Sequence, residues 1–155
     1  MTLELHATPE EVMRAVEAWQ EFARTRQVPE KIIFGLALAL EECGSNIVNH
    51  ALQRDARQTF RVDIGRRGGE IFIELRDRGP GFDPTAATER RPPAGDDDLP
   101  GGWGIQLARR YTDEIRYRRE AGENVLCLRK RLAAAAGETG FQQTETKTSK
   151  PNQKK

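Results

Sequence analysis

Residues 41–50 read EECGSNIVNH, and this stretch organises the rest of the chain. Leu36, Leu40, Cys43 and Ile47 recur at i, i+4, i+7 and i+11, an apolar stripe that predicts a helix from about Glu30 to Leu52. Phe34 to Leu40 is apolar or glycine at every position, so this part of the helix is expected to be buried nearly all round. Glu42, Asn46 and Asn49 form a second, polar stripe well over a quarter turn away. A carboxylate and two amides on a largely buried helix cost stability unless something there uses them. Glu42 and Asn46, four apart, project to one side of the helix one turn from each other. An amide oxygen can coordinate magnesium, which prefers oxygen ligands and keeps waters and phosphate oxygens in its shell. The adjacent carboxylate can orient a water or accept a proton from an attacking hydroxyl. Taken alone, however, E-x-x-x-N is a common helix pair.

Towards the N-terminus, Pro29 is placed to open this helix, after a break at Gln27-Val28. Val12, Val16, Trp19 and Ala23 predict an earlier helix ending near Arg26, with Thr8 as N-cap, Pro9 at N1 and Glu11 at the capping-box position. Leu3 and Leu5 alternate with polar residues in a short edge strand. Towards the C-terminus, Phe60, Val62 and Ile64 alternate, Gly68-Gly69 makes a hairpin turn, and Ile71, Ile73 and Leu75 form the returning strand. That strand runs into Asp77-Arg78-Gly79-Pro80-Gly81. A carboxylate at a strand end followed by two glycines lets backbone pass close to a flat ligand, and Asp can accept a hydrogen bond from an exocyclic amine. The same residues are also good turn chemistry. The segment from Pro84 to Gly101 is rich in Pro and Gly, long for a compact domain, and reads as a lid, with Asp96-Asp97-Asp98 facing solvent. Gly101, Gly102 and Gly104 open a helix that ends near Tyr111, where exposed N–H groups suit a phosphate; alone, this is a weak signal. Two final strands, 115–119 and 124–132, turn at Ala121-Gly122-Glu123. The element order predicts an α+β protein, a two-layer sandwich with a mixed, mostly antiparallel sheet and helices on one face.

Composition bounds the function. The 155 residues carry 25 basic and 24 acidic side chains, which argues against a whole-surface polyanion binder. Residues 133–155 hold four lysines, two glutamates and one large apolar residue, Phe141, so they are read as a disordered tail outside the 1–132 domain. With that tail at +2 and the whole chain at +1, the domain is left at −1. Cys43 and Cys127 each sit in an apolar run, so neither a disulfide framework nor a four-ligand zinc site is expected. No apolar stretch is read as approaching the ~20 residues of a membrane span, and no signal peptide is apparent. The expected protein is soluble and cytoplasmic. Arg109-Arg110, Arg116 to Arg119 and Arg129 to Arg131 are dispersed among acids or alternate on strands. They read as a solvated face, so direct binding to nucleic acid is not expected.

The three clusters gain force from their order. A helix with E-x-x-x-N, a strand-end D-x-G-x-G about thirty residues on, and a G-x-G opening a helix about twenty further resemble the ATP-binding domain shared by histidine kinases, Hsp90, gyrase and MutL. Glu42 to Asn46 matches its N box, Asp77 to Gly81 its first glycine box and Gly102 to Gly104 its second. The stretches EECGSNIVNHA, LRDRGPGFDP and GGWGIQLARRYTDEIRYRREAGENVLCLRKRL look like the bacterial anti-sigma-factor serine kinases. The resemblance implies Mg·ATP held beneath a lid, with Asn46 on Mg²⁺ and Glu42 as catalytic base. It further implies Asp77 on the adenine amine, Gly79 and Gly81 shaping the purine pocket, and Gly102 and Gly104 supporting the phosphates. Asn49 and His50 follow the N box where residues often face the nucleotide, although His50 also suits a plain helix end. The resemblance implies a sigma factor and an anti-anti-sigma antagonist as partners, the antagonist being phosphorylated on Ser or Thr, and a homodimer. Two other readings stay open: an ATP/ADP-sensing partner-switch module without phosphotransfer, and a switch kinase acting on a scaffold and a phosphatase. A histidine kinase is disfavoured, because no helix with a phospho-acceptor His precedes the domain. His6 has no evident partner.

Overall fold

A computed structural model describes residues 1–86 and 103–132. The elements run β1 (Thr2–His6), α1 (Pro9–Arg24), α2 (Glu30–Asn46), β2 (Thr59–Arg67), β3 (Glu70–Asp77), α3 (Trp103–Tyr111), β4 (Glu114–Glu120) and β5 (Glu123–Arg131). The five strands form one sheet in the order β1-β2-β3-β5-β4. All four pairings are antiparallel, so the sheet carries none of the parallel pairs that a mixed sheet would allow. The two-layer α+β architecture is as the element order predicts.

Period-two alternation explains the sheet. Leu3, Val62, Leu75, Leu126 and Tyr117 lie opposite one another across the five strands, and Ile64, Ile73, Leu128 and Ile115 form the next row. These residues are buried or packed against the core, together with the apolar faces of the helices. The other face is mostly charged, with ion pairs such as Arg61–Asp63 (3.0 Å), Arg118–Glu74 (3.1 Å) and Arg131–Glu70 (3.2 Å). Both hairpins turn through two residues at positive φ: Gly68 (53°) with Gly69 (81°), and Ala121 (50°) with Gly122 (83°).

α1 begins as its sequence predicts, with the Glu11 N–H donating to Thr8 Oγ1 (3.4 Å). The capping box is only half made. The Thr8 N–H donates to the His6 carbonyl (2.8 Å), and the Glu11 carboxylate pairs with Arg14 (3.1 Å) instead. At the other end the N–H of Val28 donates to Ala23 O (3.0 Å) and that of Gln27 to Arg24 O (3.0 Å). This is a Schellman closure, with Gln27 at φ 54° where glycine is usual. Trp19, fully buried, donates from Nε1 to Ile33 O (2.9 Å) and ties α1 to α2.

α2 lies between α1 and α3, with Gly44 against Val12 and Gly35 against the Tyr111 ring. Leu36, Leu40, Cys43 and Ile47 are all buried. The expected all-round burial of residues 34–40 does not hold: Phe34 is 64% exposed, edge-on to Tyr111. Three neighbours cover three sides of a helix and leave a fourth open. Residues 30–51 form one 22-residue helical run with an 18-residue window of mean hydropathy 1.2, long and apolar enough to pass for a membrane span, contrary to the sequence expectation. Its burial among α1, α3 and the sheet accounts for that composition.

Candidate active site

Glu42 and Asn46 lie one turn apart on α2, each half-buried, and neither side chain has a hydrogen-bond or ion-pair partner among the described residues. Burial first, and the neighbouring Glu42 carboxylate second, push the Cys43 thiol up to about 12. After Asn46 the helix loosens into a π-turn, Ile47–Ala51, in which the Leu52 N–H reaches back to Ile47 O (2.8 Å). The wider turn changes the helical register and leaves Asn49 and His50 exposed. Asn49 Oδ1 accepts a hydrogen bond from Arg54 Nε (2.7 Å), with Gln53 and Arg54 both at positive φ (53° and 57°). No hydrogen bond among the described residues joins Asn49 or His50 to Glu42 or Asn46. His6 does have a partner: its Nδ1 lies 3.0 Å from Ala56 O, an acceptor, so that nitrogen carries the proton.

Asp77 ends β3 on the helix-facing side and is 6% exposed. Its Oδ1 accepts from the Gly79 N–H (2.8 Å) and from Asn124 Nδ2 (2.9 Å). Among the described residues Oδ2 accepts no hydrogen bond, so it keeps its capacity to accept one. Gly79 joins this cluster to the helix. A Cβ there would stand 2.7 Å from the Ala51 carbonyl oxygen and 2.8 Å from the Ala51 methyl, so only glycine lets the loop lie against the end of the helical run. Gly81 lies beneath the Arg119 side chain, where a Cβ would be 3.3 Å from Cδ.

Asn124, which the sequence reading did not single out, completes the cluster around Asp77. Besides Asp77, its Nδ2 donates to Pro80 O (3.0 Å), and its Oδ1 accepts from Tyr117 (2.8 Å) and Arg119 (2.7 Å). Alternation alone would have put residues 124, 126 and 128 on one face, but only the β3–β5 register shows that Asn124 faces Asp77. Arg119 is exposed, as the sequence reading has it, but its Nη1 also donates to Asn124 Oδ1 and to Gly79 O (3.2 Å). Gly104 lies in the first turn of α3. Gly101 and Gly102, most of the proposed lid with Asp96-Asp97-Asp98, and the 133–155 tail fall outside the described residues. Asp83 Oδ1 caps the start of that segment, accepting from the Thr85 N–H (2.8 Å) and hydroxyl (2.6 Å).

No group of three or more His, Cys, Asp or Glu among the described residues could cage a metal. An ion carried in by a nucleotide asks less of the protein, one amide oxygen with waters and phosphate oxygens completing its shell. Asn46 supplies such an oxygen. The donor set therefore suits magnesium arriving with a nucleotide.

A five-stranded antiparallel sheet covered by helices on one face, with Glu42 and Asn46 on α2 and Asp77 at the end of β3, gives the class, and the sequence comparison names it. The profile of the histidine kinase-like ATPase domain matches residues 5–130, and the chain belongs to that family. Over 130 residues it is 30% identical to the serine/threonine-protein kinase BtrW of Bordetella bronchiseptica, covering 82% of this chain and 90% of BtrW. The structure of the RsbU and RsbW domains of Rv1364c from Mycobacterium tuberculosis matches with a TM-score of 0.63 at 20% identity, over 85% of this chain and 31% of that one. The SiaB–SiaC complex from Pseudomonas aeruginosa matches with a TM-score of 0.61 at 13% identity, over 84% of this chain and 87% of that one. The solved structures bear out the fold, and the family carries ATP binding and kinase relatives with it.

Proposed function

We propose that this protein is an ATP-dependent protein-serine kinase acting as an anti-sigma factor, which phosphorylates an anti-anti-sigma antagonist and holds a sigma factor inactive, as a homodimer. The observation that carries the reading is Glu42, half-buried and without a partner among the described residues, one turn before Asn46 on the helix whose end abuts Gly79. A pure nucleotide binder has no need of a base there. The 30% identity to a named serine/threonine kinase supports the same class. Asp77 Oδ2 would accept from the adenine amine, with Gly79 and Gly81 giving room for the base. Asn46 would ligate magnesium through its amide oxygen, and the ion would neutralise phosphate charge. The antagonist's serine oxygen attacks the γ-phosphorus, the bond to the bridging oxygen of ADP breaks, and Glu42 takes the hydroxyl proton. His50 and Asn49 would line the phosphate side, with Gly102 and Gly104 supporting the phosphates.

The test is incubation with γ-labelled ATP, Mg²⁺ and candidate antagonists, the small proteins of neighbouring genes. Glu42→Gln is expected to slow transfer by about 10²–10⁴-fold, the usual worth of a general base, with ATP affinity within about twofold. Undiminished transfer in the variant would remove Glu42 from its role. Tight ATP and ADP binding by the native chain with no label on any antagonist would favour the switch module.

A further inference from the structure

β4 carries three arginines whose surroundings differ. Arg116 and Arg118 point to the outer face of the sheet and pair with carboxylates, Glu114 at 2.7 Å and Glu74 at 3.1 Å. Arg119, one residue on, must point the other way, because strand side chains alternate. It faces Asn124 in the register, and Asn124 faces Asp77, so the three residues make one row across β4, β5 and β3 on the face that packs the core, with Asp77 and Asn124 buried and Arg119 exposed at the edge strand. Among the described residues Arg119 has no carboxylate partner. Its Nη1 donates instead to the Gly79 carbonyl (3.2 Å) and to Asn124 Oδ1 (2.7 Å), while Cδ and the guanidinium lie along Gly81. One side chain thus grips both glycines of the D-x-G-x-G loop and the amide that holds Asp77.

We propose that Arg119 is a positioning residue for the purine side of the site, a clamp from the edge strand that fixes the Gly79–Gly81 loop and, through Asn124, the Asp77 carboxylate. The inference rests on the nucleotide reading above. Hydrogen bonds from a charged donor are the stronger kind, and Arg119 gives two to groups 40 and 5 residues distant in the chain. Lysine carries the charge but not the planar fork, so it keeps only part of the grip. The clamp touches the Asp77–Gly81 side of the proposed site and makes no hydrogen bond to Glu42 or Asn46. Its loss should therefore weaken recognition of the purine and spare recognition of the polyphosphate.

Two competition titrations on the full chain test this, both against a fluorescent ATP analogue with Mg²⁺, one using ATP and the other inorganic tripolyphosphate. Native protein, Arg119→Ala, Arg119→Lys and Asp77→Asn are compared. Arg119→Ala is expected to weaken ATP about tenfold and leave tripolyphosphate within about twofold, with Arg119→Lys between it and native protein. Unchanged ATP affinity in Arg119→Ala, beside a large loss in Asp77→Asn, would overturn the clamp while sparing the nucleotide site. Equal weakening towards ATP and tripolyphosphate would also overturn it, since the arginine would then act on phosphate by charge. If native protein bound no nucleotide, or Asp77→Asn bound as native, the nucleotide reading itself would fail, whatever Arg119 did.

Discussion

At the scale of single residues, the site depends on how little room it leaves. The Gly79 backbone stands where any side chain would meet the Ala51 carbonyl, the Ala51 methyl and Asp77 Oδ1 at 2.7, 2.8 and 2.9 Å. Two of those three obstacles are backbone or a carboxylate already bonded to Asn124 and the Gly79 N–H. Gly79→Ala is therefore expected to lower stability by about 1–3 kcal/mol, as overpacking does, read from the urea midpoint. A midpoint equal to that of the native protein would show that the loop can step away from the helix without cost. Ala51→Gly should not rescue the variant, because removing the methyl leaves the carbonyl oxygen in place.

Among the elements, α1 shows where local chemistry can be improved and where it was legible. Its C-terminal closure puts Gln27 at φ 54°, a conformation that costs a non-glycine residue about 1 kcal/mol. Gln27→Gly is expected to raise the thermal midpoint, by an amount equivalent to about 0.5–1 kcal/mol, and a lowered midpoint would show that the exposed Gln27 side chain contributes more than the strain removes. The strands and hairpins were readable because alternation and Gly68-Gly69 are local signals. So were Thr8, Pro9 and the stripe from Leu36 to Ile47. The π-turn at Ile47–Ala51 was not readable, since the apolar stripe that identifies the helix ends at Ile47, where the change of register begins, and Asn49 and His50 beyond it are exposed. Tyr117, Arg119 and Asn124 were missed because their meaning lies in register. Asn124 meets Asp77 only through pairing of strands 47 residues apart in the chain, which no motif records. The motif residues Glu42, Asn46, Asp77 and Gly79 could be singled out as candidates because spacing along one helix or one turn is itself the signal.

For the molecule as a whole, the core residues run from Leu5 to Leu128, and Leu132 still packs against them, its N–H donating to Gly69 O (2.8 Å). We propose that residues 1–132 fold as one unit. Urea unfolding followed by far-UV circular dichroism and by the emission of Trp19, which is fully buried, should give coincident single transitions. Removing residues 133–155 should leave the midpoint unchanged, and two separated transitions or a shifted midpoint would overturn the single unit. The same topology divides the site between two lengths of chain. Glu42, Asn46 and Asp77 come before residue 87, while Arg119 and Asn124 come after residue 102, on a hairpin whose β5 supplies one of β3's two neighbours. A chain severed between those numbers would leave three strands with Glu42, Asn46 and Asp77 on one fragment, and two strands with Arg119 and Asn124 on the other. Each fragment would expose the sheet edge that the other covers, and a nucleotide bridging the two would act as the glue of their reassembly.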